Sequence, residues 1–105
     1  HEVTFDNDLR WHPVLLKELE DISRRVAERL RQDGRYGLTV TLKVRFSDFS
    51  TITRQRRSPQ GVRTAREIMN TATSLLHSVD PRRPIRLLGV SVSDLTSFQQ
   101  LRLFH

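Results

Sequence analysis

Residues 38–46 read LTVTLKVRF, a stretch in which apolar and polar side chains alternate without interruption. Because successive side chains of a β-strand point to opposite faces of a sheet, this alternation predicts a strand with one apolar and one polar face. The apolar face carries Leu38, Val40, Leu42, Val44 and Phe46, and the polar face carries Thr39, Thr41, Lys43 and Arg45. We therefore expect helices to cover the first face and solvent to meet the second.

A hairpin partner follows this strand and a long helix precedes it. Residues 47–50 form a predicted turn, and residues 51–57 form a second β-rich run that ends before Pro59. The helix begins at Pro13, a favoured first helical residue, and ends at Asp33-Gly34. Its apolar residues recur at steps of three and four along one face and are Leu15, Leu19, Ile22, Val26 and Leu30.

A second helix and two outer strands complete the predicted fold. Thr64 and Glu67 have the spacing of a capping box, and the apolar stripe that follows them ends before Asp80-Pro81. Residues 2–5 and 85–92 are predicted strands. The element order β-α-β-β-α-β predicts an α+β sandwich, in which a four-stranded antiparallel sheet carries two helices on one face.

The positive charge of the chain is concentrated in its middle. The formal net charge is +6, and between Gly34 and Arg66 eight basic residues accompany a single acidic one, Asp48. Arginine exceeds lysine by 16 to 2, which suits forked contacts to phosphate groups. Nucleic acid is therefore the predicted partner, and a merely solvated basic face is the alternative.

The polar face of the predicted sheet lacks aromatic side chains that could stack on bases. Phe5, Tyr36, Phe46 and Phe49 are instead predicted core or turn residues. Hydroxyl and basic groups without stacking rings suit contacts to the sugar–phosphate backbone better than contacts to bases. The predicted interaction is consequently tolerant of nucleotide sequence.

The C-terminal residues 99–104, QQLRLF, form a short polar and apolar motif of their own. Three large apolar side chains in a terminal segment, where polar residues are usual, predict that the segment binds in a groove on a partner protein. The spacing matches the Gln-Leu-x-Leu-Phe peptide by which bacterial polymerases and repair proteins bind the sliding clamp. The residues concerned are Gln100, Leu101, Leu103 and Phe104. We divide the chain into a domain at 1–96 and a clamp-binding peptide at 97–105, expected to be mobile; a last strand folded onto the core is the alternative.

The sequence shows no catalytic constellation, no residues for disulfides and no membrane helix. There is no cysteine, which excludes disulfides and thiolate zinc sites. No signal peptide is present and no apolar run reaches the roughly 20 residues of a membrane helix, so the predicted location is cytoplasmic. The histidines have no metal-ligand spacing and the carboxylate pairs are not predicted to converge as a two-metal site. These residues are His1, His12, His77, His105, Asp6, Asp8, Glu18 and Glu20. The chain, which does not begin with methionine, is expected to be a noncatalytic fragment without a cofactor.

Four segments together resemble the little-finger domain of Y-family translesion DNA polymerases. They are the opening Glu2-x-Thr4-Phe5, the hairpin residues 42–54, the strand at 85–92 and the terminal clamp-type peptide. The resemblance covers nearly the whole chain and is strongest to the bacterial DNA polymerase IV branch. In that family the domain packs beside the duplex and its sheet lies across the major groove.

The resemblance implies DNA-backbone contacts from β-strand residues, and it identifies the C-terminal peptide as a clamp ligand. The implied DNA-binding residues are Thr39, Thr41, Lys43, Arg45, Thr51, Thr53, Arg54, Arg56, Arg57, Arg86 and Gly89. At Gly89 a side chain would stand on the DNA-facing surface. Leu87 and Ser91 depart from relatives with arginine at these points, so the last strand is expected to hold DNA weakly.

The resemblance also implies a parent enzyme, a Mg²⁺-dependent DNA polymerase whose catalytic carboxylates lie in its palm domain. Its implied partners are primer-template DNA, the sliding clamp and the palm and finger domains of the same chain. A free-standing ferredoxin-like module that binds RNA or regulates a partner shares the predicted element order. We disfavour that alternative because the aromatic RNA-binding signature is absent and the terminal peptide would have no role.

Overall fold

Four strands and three helices are present in the part of the chain that the structure describes. A computed structural model describes residues 1–9, 13–79 and 83–104, with the backbone alone at residues 6–9 and 102–104. The elements are β1 (Glu2–Leu9), α1 (Pro13–Asp33), β2 (Tyr36–Phe46), β3 (Thr51–Val62), α2 (Ala65–Leu76), β4 (Ile85–Thr96) and α3 (Phe98–Phe104). No helix in these ranges is long and apolar enough to cross a membrane.

The strands form one antiparallel sheet in the order β1-β4-β2-β3. Helices α1 and α2 pack against each other and against the sheet, which confirms the predicted α+β fold. The core residues of the sheet include Val40, Leu42, Val44, Phe46, Leu88 and Val90. Each such side chain that leaves water contributes about 1.5–3 kcal/mol to stability, so the apolar stripes hold both helices on one face.

Local sequence signals explain where both long helices begin and end. The predicted apolar stripe of α1 is buried, and the helix stops before Gly34, whose φ of 65° suits glycine. The capping box of α2 is present: Thr64 Oγ1 accepts a hydrogen bond from the Glu67 N–H at 3.1 Å, and Glu67 Oε1 accepts one from the Thr64 N–H at 3.0 Å. Burial raises the pKa of the Glu67 carboxyl, but hydrogen bonds from Thr64 and Arg63 outweigh it and hold that pKa below its ordinary value.

The structure departs from the sequence prediction at several element ends and at one core position. Strands β1 and β4 run to Leu9 and Thr96, past the predicted ends at residues 5 and 92. Helix α2 stops at Leu76, with His77 as its C-cap. The N–H groups of Ser78 and Val79 then donate to carbonyls three residues back, at 3.1 and 3.0 Å, which is a tighter turn than the α-helix. The predicted stop at Asp80-Pro81 lies outside the described residues. Strand β3 continues past Pro59 to Val62, through a register shift against β2. Leu38 lies at that shift and is half-buried, so the prediction that it belongs to the core stripe is wrong.

Candidate nucleic-acid interface

The face of the sheet opposite α1 and α2 is polar, and we call it the open face. Cross-strand partners project from the same side of a sheet, so the pairing register assigns its members. One row joins Glu2, Gly89, Lys43 and Thr53, and the next joins Thr4, Leu87, Arg45 and Thr51. Two further rows join Ser91, Thr41 and Gln55, and Ser93, Thr39 and Arg57.

Most of the sequence-predicted contact residues lie on the open face. These are Thr39, Thr41, Lys43, Arg45, Thr51, Thr53, Arg57 and Gly89. Arg54 and Arg56 do not share that face, because they pair with the core residues Leu42 and Val40 and so project from the helix side of β3. Arg86 lies beside a register shift in β4, with its guanidinium 4.9 Å from the centre of the Phe49 ring at the hairpin turn.

Two carboxylates reduce the positive charge of the open face. The Lys43 ammonium lies 2.9 Å from a carboxylate oxygen of Glu2, and Arg57 Nη1 lies 3.7 Å from Asp94 Oδ2. The same Asp94 oxygen accepts a hydrogen bond of 2.7 Å from the Thr39 hydroxyl. The open face is therefore less cationic than the basic middle of the sequence predicts.

Gly89 allows the Glu2–Lys43 ion pair to form across β4. The pair joins strands on either side of β4, and Gly89 is the residue of β4 that lies between them. A Cβ atom at this position would lie 2.8 Å from Cγ of Glu2, closer than such atoms approach one another. The absent side chain thus leaves space for Glu2 to reach Lys43.

Arg45 and Leu87 are cross-strand partners on the open face. The Arg45 Nε donates to the Thr51 hydroxyl at 3.0 Å, which orients the guanidinium along the β2–β3 edge. Leu87 is 8% exposed although it lies outside the core cluster, and its cross-strand partners are Thr4 and Arg45. A small apolar site therefore interrupts the polar surface at Leu87.

The helix side of β3 carries two cations, Arg54 and Arg56. We call this surface the outer edge. Both side chains are exposed on the outermost strand of the sheet. Arg54 Nη1 donates to the Thr53 carbonyl at 3.0 Å. Within the described ranges neither arginine has a carboxylate at salt-bridge distance. Their charge is available to a polyanion at the edge of the sheet.

The clamp-type peptide is helical and partly buried in the structure, not a free tail. It forms α3, in which Leu101 is 8% exposed. The prediction of a mobile, poorly packed peptide is wrong for Leu101, because this side chain fills space that Gly61 leaves beside Tyr36. The side chains of Leu103 and Phe104 lie outside the described part, and the domain boundary at 96/97 stays a prediction.

Some features of the site could not be found by sequence reasoning. Glu2 and Asp94 are distant in sequence from their cationic partners, and Asp94 lies 55 residues from Thr39. Only the strand order brings these groups together. Among the described residues no group of three histidine, aspartate, glutamate or cysteine side chains is placed to hold a metal ion.

A family comparison matches nearly the whole chain. The family is described as the impB/mucB/samB family C-terminal domain, and its model matches residues 1–103. The chain is 39% identical over 95 residues to DNA polymerase IV of Dehalococcoides mccartyi, covering 89% of this chain and 24% of the relative. It is 35% identical over 106 residues to DNA polymerase IV of Staphylococcus epidermidis, covering 98% of this chain and 30% of the relative. The chain thus spans less than a third of the length of these relatives.

Two solved structures have the same fold as this chain. The post-insertion binary complex of Dbh DNA polymerase superposes with a TM-score of 0.79 at 17% identity, over 91% of this chain and 28% of that one. A complex of the beta-clamp processivity factor and the little finger domain of PolIV gives a TM-score of 0.70 at 21% identity, over 89% and 84% of the two chains. The solved structures share the fold, and the family match over residues 1–103 shows that the chain belongs to the impB/mucB/samB family C-terminal domain.

Proposed function

We propose that this domain holds primer-template DNA for a parent translesion polymerase by contacting the sugar–phosphate backbone. The observation that carries the proposal is the open face, an uncovered sheet surface with threonine and serine hydroxyls and the cations Lys43, Arg45 and Arg57. Hydroxyl and cationic groups bind phosphate oxygens without reading base identity. Binding is therefore expected to be independent of nucleotide sequence.

The outer edge extends the proposed contact area. β3 is the outermost strand, so the long guanidinium side chains of Arg54 and Arg56 can reach past its edge toward a duplex that lies on the open face. Arg86 and Phe49 stand at the hairpin turn, at one end of the same surface. Both groups remain in the proposed site, as contacts at its borders.

The proposed parent activity is DNA-directed nucleotidyl transfer in the cytoplasm of a bacterium. The support is the name of the relatives, DNA polymerase IV, which share this domain. In the proposal Mg²⁺ and the catalytic carboxylates belong to the palm of the parent, and this domain lengthens the residence of the enzyme on DNA. Tethering supports this role, because it makes the second DNA contact intramolecular.

The terminal peptide is proposed to bind the bacterial sliding clamp through Gln100, Leu101, Leu103 and Phe104. A solved complex of a similar domain with the beta-clamp processivity factor supports a clamp as partner. Since Leu101 is buried in this structure, clamp binding requires that the peptide leave its position on the domain. The alternative of a free-standing RNA-binding or regulatory module is not supported by the family match.

The test of the DNA proposal is the salt dependence of binding to primer-template duplex. About four to six phosphate contacts give a log–log salt slope of roughly −4 to −5. Replacing Lys43, Arg45 and Arg57 together by alanine is expected to reduce this slope by about two to three units, because each lost contact releases one counterion fewer.

The matched control removes three charges from the opposite side of the molecule. Arg24, Arg29 and Arg31 are exposed residues of α1, and their replacement by alanine is expected to leave the slope within about one unit of its starting value. Equal slope losses in the two triple variants, measured by fluorescence anisotropy, would contradict binding at the open face. Unchanged melting temperatures establish that both variants are folded.

A further inference from the structure

The clamp-type peptide already has a binding partner within the domain. Of its proposed recognition residues, Leu101 is buried and Gln100 is hydrogen-bonded inside the chain. A peptide that offers the same side chains to another protein must first withdraw them from these contacts. The structure thus contains two competing uses for one segment, and this inference rests on the clamp-binding function proposed above.

The apolar part of the internal contact is a shallow site formed by Tyr36 and Gly61. Gly61 has a φ of +80°, and a Cβ atom there would lie 3.0 Å from Cδ1 of Leu101 and 3.2 Å from Cβ of Tyr36. Leu101 therefore occupies the space that a side chain at residue 61 would fill. The Tyr36 and Phe98 rings lie with their centres 6.3 Å apart, and the Arg63 guanidinium lies 5.2 Å from the centre of the Tyr36 ring.

The polar part of the contact engages Gln100 and the first turn of α3. The Thr96 hydroxyl donates to Gln100 Oε1 at 2.7 Å. The Ser97 Oγ accepts a hydrogen bond of 3.2 Å from the Gln100 N–H, which is the arrangement of a helix N-cap. Neither Thr96 nor Ser97 belongs to the clamp motif, so each can be changed without changing the peptide's recognition residues.

The helical form of the segment differs from the form that a groove ligand needs. Residues two positions apart on a helix are separated by about 200° around its axis, and the Leu-x-Leu spacing of the motif falls within α3. In an extended chain the same two residues project to one side. A groove that takes both leucines must therefore unwind α3 as well as release Leu101.

We propose that the Tyr36–Gly61 site is an intramolecular binding site for the terminal peptide, and that it competes with the sliding clamp for Gln100 and Leu101. The apparent affinity for the clamp is then the intrinsic affinity of the peptide multiplied by the fraction of domains in which α3 is released. Variants that weaken the internal contact raise that fraction. Clamp binding and docking of α3 exclude each other.

The experiment compares the full chain with a synthetic peptide of residues 97–105, using a purified bacterial sliding clamp as the probe. The peptide has no docking site to leave, so it is expected to bind the clamp about three- to tenfold more tightly than the chain does. Ser97→Ala and Thr96→Val in the chain are expected to bring its affinity toward that of the peptide, because a lost cap or hydrogen bond destabilises α3.

Two controls separate a docking effect from a direct one. Ser97→Ala in the synthetic peptide is expected to leave its clamp affinity unchanged, and Ser93→Ala on the open face is expected to leave that of the chain unchanged. Amide hydrogen exchange at Leu101, whose N–H donates to the Ser97 carbonyl at 3.1 Å, is expected to accelerate in Ser97→Ala without clamp.

Equal affinities of chain and peptide, or equal effects of Ser97→Ala in both, would overturn the proposed competition and leave clamp binding intact. If the chain and the peptide both still bind the clamp after Leu103 and Phe104 are replaced by alanine, the proposed clamp motif is overturned instead. The two failures therefore have different signatures.

Discussion

The open face and the outer edge are adjacent basic surfaces that differ in how many of their cations are paired with a carboxylate. On the open face Lys43 and Arg57 are each paired with a carboxylate, at 2.9 and 3.7 Å. On the outer edge Arg54 and Arg56 have no such partner in the described part of the chain. Both surfaces come from the same basic stretch of sequence, so charge density along the chain does not measure the charge that a ligand meets.

The difference predicts two modes of phosphate binding. At the outer edge a phosphate adds an ion pair where none existed. At Lys43 and Arg57 of the open face it must replace the carboxylate of Glu2 or Asp94, so part of the electrostatic gain is lost in the exchange. We therefore expect the outer edge to contribute more to affinity per cation, and the open face to contribute geometry through its hydroxyl groups.

The largest expected effect comes from the outer edge. The double variant Arg54→Ala/Arg56→Ala is expected to weaken duplex binding about tenfold or more at moderate salt, since two phosphate contacts without internal competitors are removed. Titration of labelled primer-template measures the loss. A smaller loss than that of the Lys43→Ala/Arg57→Ala double variant would reverse the ranking of the two surfaces.

A moderate gain is expected when Lys43 loses its internal partner. Glu2→Gln keeps the size of the side chain but removes its charge, and it is expected to strengthen DNA binding about two- to fivefold, in line with the strength of an exposed ion pair. Lys43→Ala should abolish this gain. A gain that persists in the Glu2→Gln/Lys43→Ala double variant would mean that Glu2 acts through general repulsion of DNA.

The smallest expected effect concerns Asp94. The Asp94–Arg57 ion pair is longer than the Glu2–Lys43 pair, and its two side chains are more exposed. Asp94→Asn is therefore expected to strengthen DNA binding less than about twofold. Asparagine preserves the acceptor for Thr39 and tolerates the φ of 55° at this position, so the melting temperature should stay within about two degrees. A weakened affinity would show that Asp94 positions Arg57 for DNA instead of competing for it.

The sequence predicted the fold because its strongest patterns are local. The alternation in residues 38–46, the stripe of α1 and the Thr64–Glu67 capping box each act within a few residues, and the structure contains all three, the first of them from Val40 onward. The family resemblance was carried by such segments as well, and it is confirmed. Local periodicity also placed Thr39, Thr41, Lys43 and Arg45 on the correct face.

The remaining features depend on contacts between distant parts of the chain. Residues 51–57 carry a single apolar side chain, Ile52, which packs against the core, and Arg54 and Arg56 lie on its side of the strand. One apolar residue is a weak signal for the register of a strand, so the sequence prediction did not separate these two arginines from the open face. The pairing of Glu2 with Lys43 requires the strand order. The position of Leu101 depends on Gly61, whose backbone conformation has no signature in the terminal motif itself.

The pairing of β1 with β4 has a mechanical consequence. β1 is an edge strand whose first residue, Glu2, pairs with Gly89, and β4 continues from there to Thr96 at the same end of the sheet. A force that draws Glu2 away from Thr96 loads the β1–β4 hydrogen bonds one after another and does not shear them together. Under tension between the two ends of the chain, β1 is therefore expected to peel first, while the central β4–β2–β3 sheet keeps its helices.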